Sequence, residues 1–327
     1  MSTLILGASS FSGANFLKHM IQTDNIIIAT FRNSSDDVFK QISPKANRKN
    51  IISYPFNLNQ DASDLIELVS KHKIKNVINF AAQSMVGQSW EYPEDWYEAN
   101  VVSMAKLLNK LRTVSSIERF IQFTTPEVYG STQGWIKESF AFNPSTPYAT
   151  SRAAGDWHLR NLFDQYDFPV IFTRTANVYG PQQQLYRIIP KAILYGLTGE
   201  KIELHGGGKS VRSFIYSDDV SNALIRIFTT GTLGNTYHIS TNKLITVRDL
   251  ISLIFSKLNI DVNEFLVETS ERPGKDAAYQ LDSTKIRSEL KWQDSVDLDN
   301  GLDSTITWVK NNLESLRTQP SIYKHRK

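Results

Sequence analysis

The chain has 327 residues, of which 41% are hydrophobic and 21% charged, and its formal net charge at pH 7 is +3. This composition is that of a globular protein large enough for one bilobal or two compact domains, and it excludes a disordered chain. The small charge gives no reason to expect a nucleic-acid or membrane partner, and the absence of cysteine excludes disulfides and thiolate chemistry.

Targeting signals and metal-ligand patterns are not evident in the sequence. No apolar run is long enough to cross a bilayer, and the first residues lack the basic and apolar regions of a signal peptide. The six histidines have no metal-ligand spacing, so no metal is expected. We therefore expect a cytoplasmic protein.

The first half of the chain alternates short apolar strands with amphipathic helices. A strand at residues 3–6 is followed by a turn and a helix over residues 14–21. Further strands are predicted at residues 26–29, 76–80, 120–123 and 170–172, and helices at about 61–71, 93–111 and from 148 onward. Strands that are apolar throughout, separated by helices, predict an α/β fold with a doubly wound parallel sheet of the Rossmann type.

The regular alternation ends near Pro181. The remainder predicts helices near residues 187–197, 218–229, 246–258 and 301–313, a glycine turn at 206–208 and a strand at 214–216. The basic tail at 324–327 is expected to be a solvated terminus.

A turn with glycine at both ends joins the first strand to the first helix. Such a turn lets backbone amides approach a pyrophosphate at the helix N-terminus, where the helix dipole favours negative charge. Ser10 stands where a third glycine would help, and the alternative is a plain strand-to-helix turn. The predicted dinucleotide contacts in this turn are Gly7, Ser9, Ser10, Phe11, Ser12 and Gly13.

The residues after the second strand bear on which dinucleotide binds. NAD sites place a carboxylate here for the ribose hydroxyls, whereas this chain has Arg32, Asn33 and Ser34. A guanidinium can hold a 2′-phosphate through charge-assisted hydrogen bonds, with a serine donating beside it. The segment therefore favours NADP, bound by Arg32 and Ser34, over the alternative NAD.

Two polar segments predict the reactive site. Residues 124–130 follow a buried strand, so their side chains emerge at the carboxyl edge, where open α/β sheets bind ligands. Tyr148 and Arg152 begin a helix with a spacing that puts both on one face. An adjacent cation and an oxidised nicotinamide would lower the pKa of a tyrosine from about 10 by about 1–3 pH units. Tyr148 would then accept a hydroxyl proton while a hydride leaves the same carbon.

With these motifs the chain resembles the extended short-chain dehydrogenase/reductases, in particular the nucleotide-sugar 4,6-dehydratases typified by dTDP-glucose 4,6-dehydratase. The resemblance covers nearly the whole length, and residues 32–35 resemble the corresponding loop of GDP-mannose 4,6-dehydratases. The motifs that carry it are the glycine turn and residues 80–84, 125–130, 147–152, 174–181, 206–208, 211–216, 272–276 and 290–292.

The resemblance implies roles for the catalytic residues. Tyr148 resembles the base, with Arg152 where lysine is usual, and Thr125 resembles the residue that hydrogen-bonds the sugar 4-hydroxyl. Glu127 resembles the carboxylate that removes the C5 proton. Pro126 stands where the dTDP-glucose enzymes have an aspartic acid that protonates the C6 hydroxyl, and the GDP-mannose enzymes also lack that acid.

Binding residues are implied in the same way. Asn177, Arg212 and Arg272 resemble contacts to the nucleotide diphosphate, and Asn57 replaces an aspartate that usually contacts adenine. The expected substrate contacts also include Ser84, Thr125, Pro126, Glu127 and Arg187. The expected cofactor contacts also include Leu58, Ala81, Ala82, Tyr148 and Arg152.

The implied activity is that of a hydro-lyase in deoxysugar biosynthesis. It would convert an NDP-hexose to an NDP-4-keto-6-deoxyhexose by transient oxidation at C4, loss of water across C5 and C6, and return of hydride to C6, with the cofactor tightly bound and recycled. Alternatives are an NDP-sugar 4-epimerase or UDP-glucuronate decarboxylase of the same fold, and a non-catalytic cofactor-binding regulator. The nucleotide base and the sugar stay open.

The resemblance also implies a domain division and an assembly. Residues 1–180, with about 211–240, would form the dinucleotide-binding Rossmann domain, and residues 181–210 and 241–327 the nucleotide-sugar lobe. Two helices pair in this family into a four-helix bundle across a two-fold axis, which predicts a homodimer. The apolar stripes expected to face the partner, or alternatively the sheet, are Tyr97, Val101, Met104, Ala105 and Leu108, and Ala149, Ala153 and Trp157.

Overall fold

The computed structural model describes residues 2–23, 25–32, 35–42 (without the side chains of 40 and 41), 48–271, 274 and 276–325. The strands are β1 (Thr3–Leu6), β2 (Ile27–Phe31), β3 (Ile51–Pro55), β4 (Asn76–Asn79), β5 (Arg119–Gln122), β6 (Trp135–Ile136), β7 (Val170–Thr175), β8 (Asn177–Tyr179), β9 (Ile202–His205), β10 (Val211–Arg212), β11 (Phe214–Tyr216), β12 (Thr236–Ile239), β13 (Ile245–Thr246), β14 (Leu266–Thr269) and β15 (Gln280–Leu281).

The helices alternate with these strands. They are α1 (Phe11–Met20), α2 (Ser35–Ile42), α3 (Ser63–Lys71), α4 (Pro93–Tyr97), α5 (Met104–Leu111), α6 (Pro147–Tyr166), α7 (Ile188–Thr198), α8 (Ser217–Thr230), α9 (Val247–Leu258), α10 (Thr284–Leu290), α11 (Leu298–Asn311) and α12 (Leu313–Leu316). None of the helices in the described ranges has the length and hydropathy that crossing a membrane requires.

A seven-stranded sheet in the order β12-β7-β5-β4-β1-β2-β3 forms the centre of the fold. Every neighbouring pair in it is parallel. The chain moves outward in one direction from β1 to β3 and in the other from β4 onward, so the order reverses between β1 and β4. The predicted doubly wound α/β fold is confirmed, and the reversal marks where such sheets bind ligands.

Both faces of the sheet are covered, which explains why its strands are apolar throughout. Successive side chains of a strand point to opposite faces. Ile5 therefore packs with Phe16 of α1 and Ile227 of α8, whereas Leu4 and Leu6 pack in a separate cluster on the other face. Helices α5 and α6 cover that second face with Leu107, Leu108 and Leu159.

The second half of the chain builds a third apolar cluster away from the sheet. Helices α7, α9 and α11 meet in it, with Ile193, Phe255 and Leu302 fully or almost fully buried at the centre. Four two-stranded sheets lie outside the central sheet in the described residues: β6–β15, β8–β11 and β9–β14 are parallel, and β10–β13 is antiparallel.

The predicted helix at residues 93–111 is present with a π-helical turn at Glu98–Ser103 between α4 and α5. This turn lets Asn100 face residue 83: its Oδ1 accepts from the Gln83 amide at 2.8 Å, and its Nδ2 donates to the Gln83 carbonyl at 3.0 Å. π-Helical turns are common near functional sites because they redirect side chains. Here the turn fixes the loop that follows β4.

The predicted docking stripe on this helix is wrong for its central residues. Met104 and Leu108 are buried in the chain's own core, on the face turned toward the sheet, and Ala149 and Ala153 of α6 are buried as well. The four-residue spacing cannot distinguish a face that covers a sheet from one that meets a partner, because both are apolar.

Sequence periodicity missed several elements. Strand β3 lies at the edge of the sheet, where half-exposed residues and a terminal proline make a weak pattern. Helices α2 and α10 are only eight and seven residues long, which is too short for a clear apolar period.

A buried ion pair connects α6 to β7, and removing one of its partners should be strongly destabilising. Arg174 Nη2 lies 3.1 Å from Asp156 Oδ2, and both side chains are fully buried. We expect Asp156→Ala to lower the free energy of unfolding by about 3–5 kcal/mol, because it leaves a buried guanidinium without its counter-charge. The matched control is Asp164→Ala, which breaks a partly exposed pair with Arg160 on the same helix and should cost less than about 1 kcal/mol. Equal costs in urea unfolding would contradict the assignment.

Candidate active site

The loops after β1 and β4 meet at the reversal point of the sheet. Gly7 has a φ of +74°, and a Cβ placed on it would lie 2.8 Å from the Ala81 amide nitrogen. A Cβ on Gly13 would lie 2.3 Å from the Gly7 carbonyl oxygen. Only glycine fits these two positions, so the predicted roles of Gly7 and Gly13 in shaping the turn have a steric basis.

Ser10 takes over the part that a third glycine was expected to play. It is the N-cap of α1: its Oγ accepts from the Gly13 amide at 3.1 Å and donates to the Gly7 carbonyl at 2.8 Å. A serine therefore tightens the turn rather than obstructing it. The first amides of α1, from Phe11 and Ser12 onward, have no acceptor within the helix, which leaves a helix N-terminus suited to an anion.

The other predicted cofactor residues follow neighbouring strands at the same edge. Arg32 is exposed at the end of β2, and Ser34 lies outside the described residues. Asn57 and Leu58 follow β3, where the Asn57 carboxamide caps its own turn by accepting from the Asn59 amide at 3.3 Å. Ala81 and Ala82 follow β4. These positions follow neighbouring strands, so they lie at the carboxyl edge of the sheet on the side of the glycine turn.

The turn after β5 carries the predicted reactive carboxylate. Thr125 caps a 3₁₀ turn at Pro126–Tyr129, in which Pro126 occupies the first helical position that suits its fixed φ. The Thr125 hydroxyl donates to Glu127 Oε2 at 2.9 Å. Glu127 is thereby held with its carboxylate toward the edge of the sheet, and Pro126 is buried and offers no side-chain acid.

Tyr129 holds this turn in place through a buried hydrogen bond. Its hydroxyl lies 2.9 Å from His238 Nε2, and His238 Nδ1 lies 3.1 Å from the Asp282 carbonyl oxygen. Because a carbonyl only accepts, Nδ1 carries the proton and Tyr129 donates to Nε2. Burial lowers the pKa of His238 to about 3, so this arrangement does not change near neutrality.

Helix α6 presents the second half of the predicted pair. Thr146 is its N-cap and Pro147 its first residue, which fixes the position of the helix start. Tyr148 and Arg152 lie one turn apart and are both buried. Arg152 Nη2 donates to the Phe123 carbonyl at the end of β5 at 2.5 Å, so the guanidinium is held between the helix and the sheet.

The charges of these residues are coupled. Burial raises the pKa of Glu127, and the Thr125 hydrogen bond and the Arg212 charge oppose this. Burial also raises the pKa of Tyr148, and Glu127 raises it further, while Arg152 and the Thr125 hydroxyl lower it. Arg152 acts in the predicted direction, but burial outweighs it. The phenolate therefore needs further positive charge before Tyr148 can act as a base at neutral pH.

A second group of polar residues faces Glu127 from the later part of the chain. Arg212 stacks over the Tyr279 ring at 4.5 Å and donates to the Asp276 carbonyl at 2.7 Å. The Tyr279 hydroxyl donates to Asn177 Oδ1 at 3.1 Å. The structure thus brings Asn177 and Arg212 together, as expected for two contacts to one diphosphate, whereas Arg272 lies outside the described residues.

Arg187 approaches the site from the start of α7. Its Nη2 lies 3.5 Å from Ser84 Oγ, which follows β4, so two predicted substrate residues are adjacent. The Arg187 charge lowers the pKa of both Glu127 and Tyr148, which places it within electrostatic reach of both catalytic candidates.

The family model for GDP-mannose 4,6 dehydratase matches residues 4–305 of the chain. The chain belongs to the GDP-mannose 4,6 dehydratase family. A dTDP-D-glucose 4,6-dehydratase of Mus musculus is 31% identical over 323 residues, which cover 95% of this chain and 89% of the relative.

Solved structures of similar proteins agree with this membership. The dTDP-glucose 4,6-dehydratase DesIV of Streptomyces venezuelae, crystallised with NAD bound, has a TM-score of 0.90 at 26% identity, covering 97% of this chain and 99% of that one. A UDP-glucose 4-epimerase of Thermotoga maritima has a TM-score of 0.85 at 25% identity, covering 96% and 100%. The same fold therefore also carries epimerisation, and the site residues must distinguish the reactions.

Two residues beside Arg212 are not among the site residues predicted from the sequence. They are Tyr279 and Asp276, whose side chain had no predicted role. Asp276 Oδ1 accepts from Ser145 Oγ at 2.9 Å and from Ser131 Oγ at 3.3 Å, and burial raises its pKa. The signal that could have found Tyr279 is its place three residues after the 272–276 motif. A tyrosine in a short loop is otherwise indistinguishable from a packing residue.

Proposed function

We propose that this protein is a nucleotide-sugar 4,6-dehydratase, a hydro-lyase that converts an NDP-hexose to an NDP-4-keto-6-deoxyhexose. The observation that carries the proposal is the hydrogen bond from Thr125 to the Glu127 carboxylate, beside the buried side chains of Tyr148 and Arg152. The family membership and the relatives named dTDP-glucose 4,6-dehydratase support the same activity.

The cofactor is a nicotinamide dinucleotide, held at the glycine turn and along the edge formed by Asn57, Leu58, Ala81 and Ala82. The close approach of the Gly7 backbone to Ala81 leaves no room for a side chain in the turn, and the N-terminus of α1 favours the negative charge of a pyrophosphate, so both features fit such a group. When bound, it supplies the reversible hydride acceptance that no side chain provides. DesIV and an rfbB dehydratase of Bacillus anthracis were crystallised with NAD, and the preference for NADP through Arg32 stays a prediction.

The side chains divide the proton transfers between them. Tyr148, as phenolate, removes the proton of the sugar 4-hydroxyl, and Arg152 stabilises its negative charge. The single hydroxyl proton of Thr125, which is donated to Glu127 in this structure, would be donated to the same sugar oxygen when the substrate is bound. Once C4 is a carbonyl, the C5 hydrogen is acidic, and Glu127 removes it as a base strengthened by burial.

The departing C6 hydroxyl needs a proton, and Pro126 cannot supply it. We assign this role to Glu127, which holds the C5 proton at that stage and can deliver it to the leaving oxygen. A single carboxyl whose pKa is raised by burial suits both halves of this cycle. The proton taken from C5 leaves as part of the water, and C5 regains a proton from solvent, which matches the one that Tyr148 takes from the 4-hydroxyl.

The nucleotide diphosphate would bind in the later part of the chain. We propose Asn177, Arg212 and Arg187 as its contacts, with Ser84 beside the sugar and Arg272 as a further candidate.

We also propose that residues 1–180, with about 211–240, form the dinucleotide-binding Rossmann domain. Residues 181–210 and 241–327 would then form the nucleotide-sugar lobe. The separate apolar cluster of α7, α9 and α11 supports this division. Helix α10 is an exception, because it belongs to the second range in sequence but packs in the cluster on the sheet.

The experiment is a mass analysis of products from a panel of sugar nucleotides. Loss of one water supports the dehydratase. Loss of carbon dioxide from a UDP-glucuronate indicates a decarboxylase, and a changed sugar without a mass change indicates an epimerase. Bound dinucleotide with no conversion of any substrate supports a non-catalytic regulator. The dinucleotide released on denaturation decides between NADP and NAD.

We propose a homodimer through the helices α4–α5 and α6. Tyr97, Val102 and Trp157 on these helices are 38%, 41% and 46% exposed, which is high for large apolar side chains. These residues, rather than the buried Met104 and Leu108, are the candidates for the contact.

If the protein is this dimer, a charged substitution at Val102 should disrupt the association. A carboxylate introduced by Val102→Asp would be desolvated in the interface, so we expect the protein to elute as a monomer in gel filtration. Val267→Asp is the matched control, because Val267 is 38% exposed on β14 and far from these helices in sequence. A monomeric wild type, or a dimer that survives Val102→Asp, would contradict the proposal.

A further inference from the structure

His325, within the segment that the sequence predicts to be a solvated terminus, packs against the body of the protein. The ring of His325 lies between Tyr92 and Trp96, with centroid distances of 4.9 and 5.0 Å and interplanar angles of 16° and 23°. Its Nε2 lies 2.6 Å from Asp95 Oδ2, and the His325 side chain is only 9% exposed. Two stacked aromatic rings and a carboxylate form a socket at the start of α4 that matches an imidazole.

The tail reaches this socket across the segment that carries Arg187. Ser321 Oγ lies 3.0 Å from the hydroxyl of Tyr195 on α7. Tyr323 packs edge-on against Tyr186, with ring centroids 5.3 Å apart. The tail therefore contacts α7, then the residue before Arg187, and then α4.

These contacts join the Arg187 segment to the start of α4. Arg187 touches the loop after β4 through Ser84 alone among the hydrogen bonds found in the described residues, at a long 3.5 Å. Yet its charge acts on both Glu127 and Tyr148. The Arg187 backbone is hydrogen-bonded at the start of α7, to the Gln184 carbonyl at 3.0 Å and from the Lys191 amide at 2.9 Å, and Tyr323 against Tyr186 adds the contact that connects this segment to the tail.

We propose that residues 321–325 clamp the Arg187 segment to α4, so that His325 and Tyr323 are positioning residues for Arg187. This inference rests on the proposed function, in which Arg187 contacts the substrate diphosphate. With the clamp released, the segment around residue 187 samples other positions, and the binding-competent fraction falls. The apparent affinity for the substrate falls by the same factor.

The test uses the full-length protein with its cofactor, the variant His325→Gln, and a chain ended after Gln319. We expect the dissociation constants of UDP and TDP, measured by calorimetry, to rise about fivefold if the competent fraction falls to about one fifth. Amide hydrogen exchange should become faster at residues 185–190 and 92–97. Lys324→Ala, which changes an exposed side chain within the same tail, should leave both measurements within about twofold of wild type.

A double-variant cycle identifies the route of the effect. If the tail acts through Arg187, His325→Gln should raise the substrate KM in the wild-type background and change it little in an Arg187→Ala background, with kcat affected less than KM. Equal effects in both backgrounds, or unchanged exchange and affinity in the tail variants, would overturn the clamp. A failure of the proposed function is a separate result: no sugar nucleotide is converted, while the exchange data still decide the clamp.

Discussion

Replacing Glu127 with glutamine is expected to stop the loss of water while the sugar nucleotide still binds. Glutamine keeps the size of the side chain and can still accept from Thr125, but it cannot take up the C5 proton. General acid–base groups contribute about 10²–10⁴-fold in rate, and we expect a loss in that range. The measurement is the rate of product formation, together with deuterium incorporation at C5 from heavy water.

The control for this variant is Glu94→Gln, which removes an exposed carboxylate from α4 without touching the site. It should behave as wild type. A Glu127→Gln enzyme that retains full turnover or exchanges the C5 hydrogen at the normal rate would remove Glu127 from the mechanism. A variant that no longer binds nucleotide would instead show that Glu127 shapes the pocket.

Replacing Tyr148 with phenylalanine is expected to lower kcat by about 10²–10⁴-fold, because the ring remains but the proton acceptor is lost. Arg152, which lies one helical turn away, offers a test of how this proton acceptor is activated. Arg152 lowers the pKa of Tyr148 against the opposing effect of burial. Activity requires the phenolate, so it rises as the pH passes upward through that pKa.

Arg152→Met removes the cation, so the pKa of Tyr148 rises and the rise of activity with pH moves to higher pH. Arg152→Lys keeps a positive charge and should shift the profile little. The pH dependence of kcat/KM for the three proteins checks this. An unshifted profile in Arg152→Met would mean that the guanidinium only supports the Phe123 carbonyl, to which it donates.

The departures from the family pattern have local structural reasons. Ser10 caps α1 and closes the glycine turn, Asn57 caps its own turn, and Pro126 begins the 3₁₀ turn that presents Glu127. These residues therefore have structural roles in the turns that carry the candidate site residues. A regulator that had lost catalysis would have no need to keep Glu127 hydrogen-bonded to Thr125 near the buried Tyr148.

The sequence itself predicted the doubly wound fold and the strand ends at which the candidate site residues lie. Continuous apolar strands require a sheet covered on both sides, and polar residues directly after such strands must emerge at its carboxyl edge. That rule applies to Gly7, Thr125 and Glu127, because each comes shortly after a strand. Tyr148 is marked instead by the start of a helix.

Only the tertiary structure decided which faces are buried and where the tail goes. Met104 and Leu108 have the spacing of a docking face, but they cover the sheet. His325 belongs to a charged terminus by composition, yet it stacks between Tyr92 and Trp96, more than 200 residues away in the chain. Local patterns encode periodicity and capping. Contacts between segments so far apart depend on how the packed elements meet, which no local pattern records.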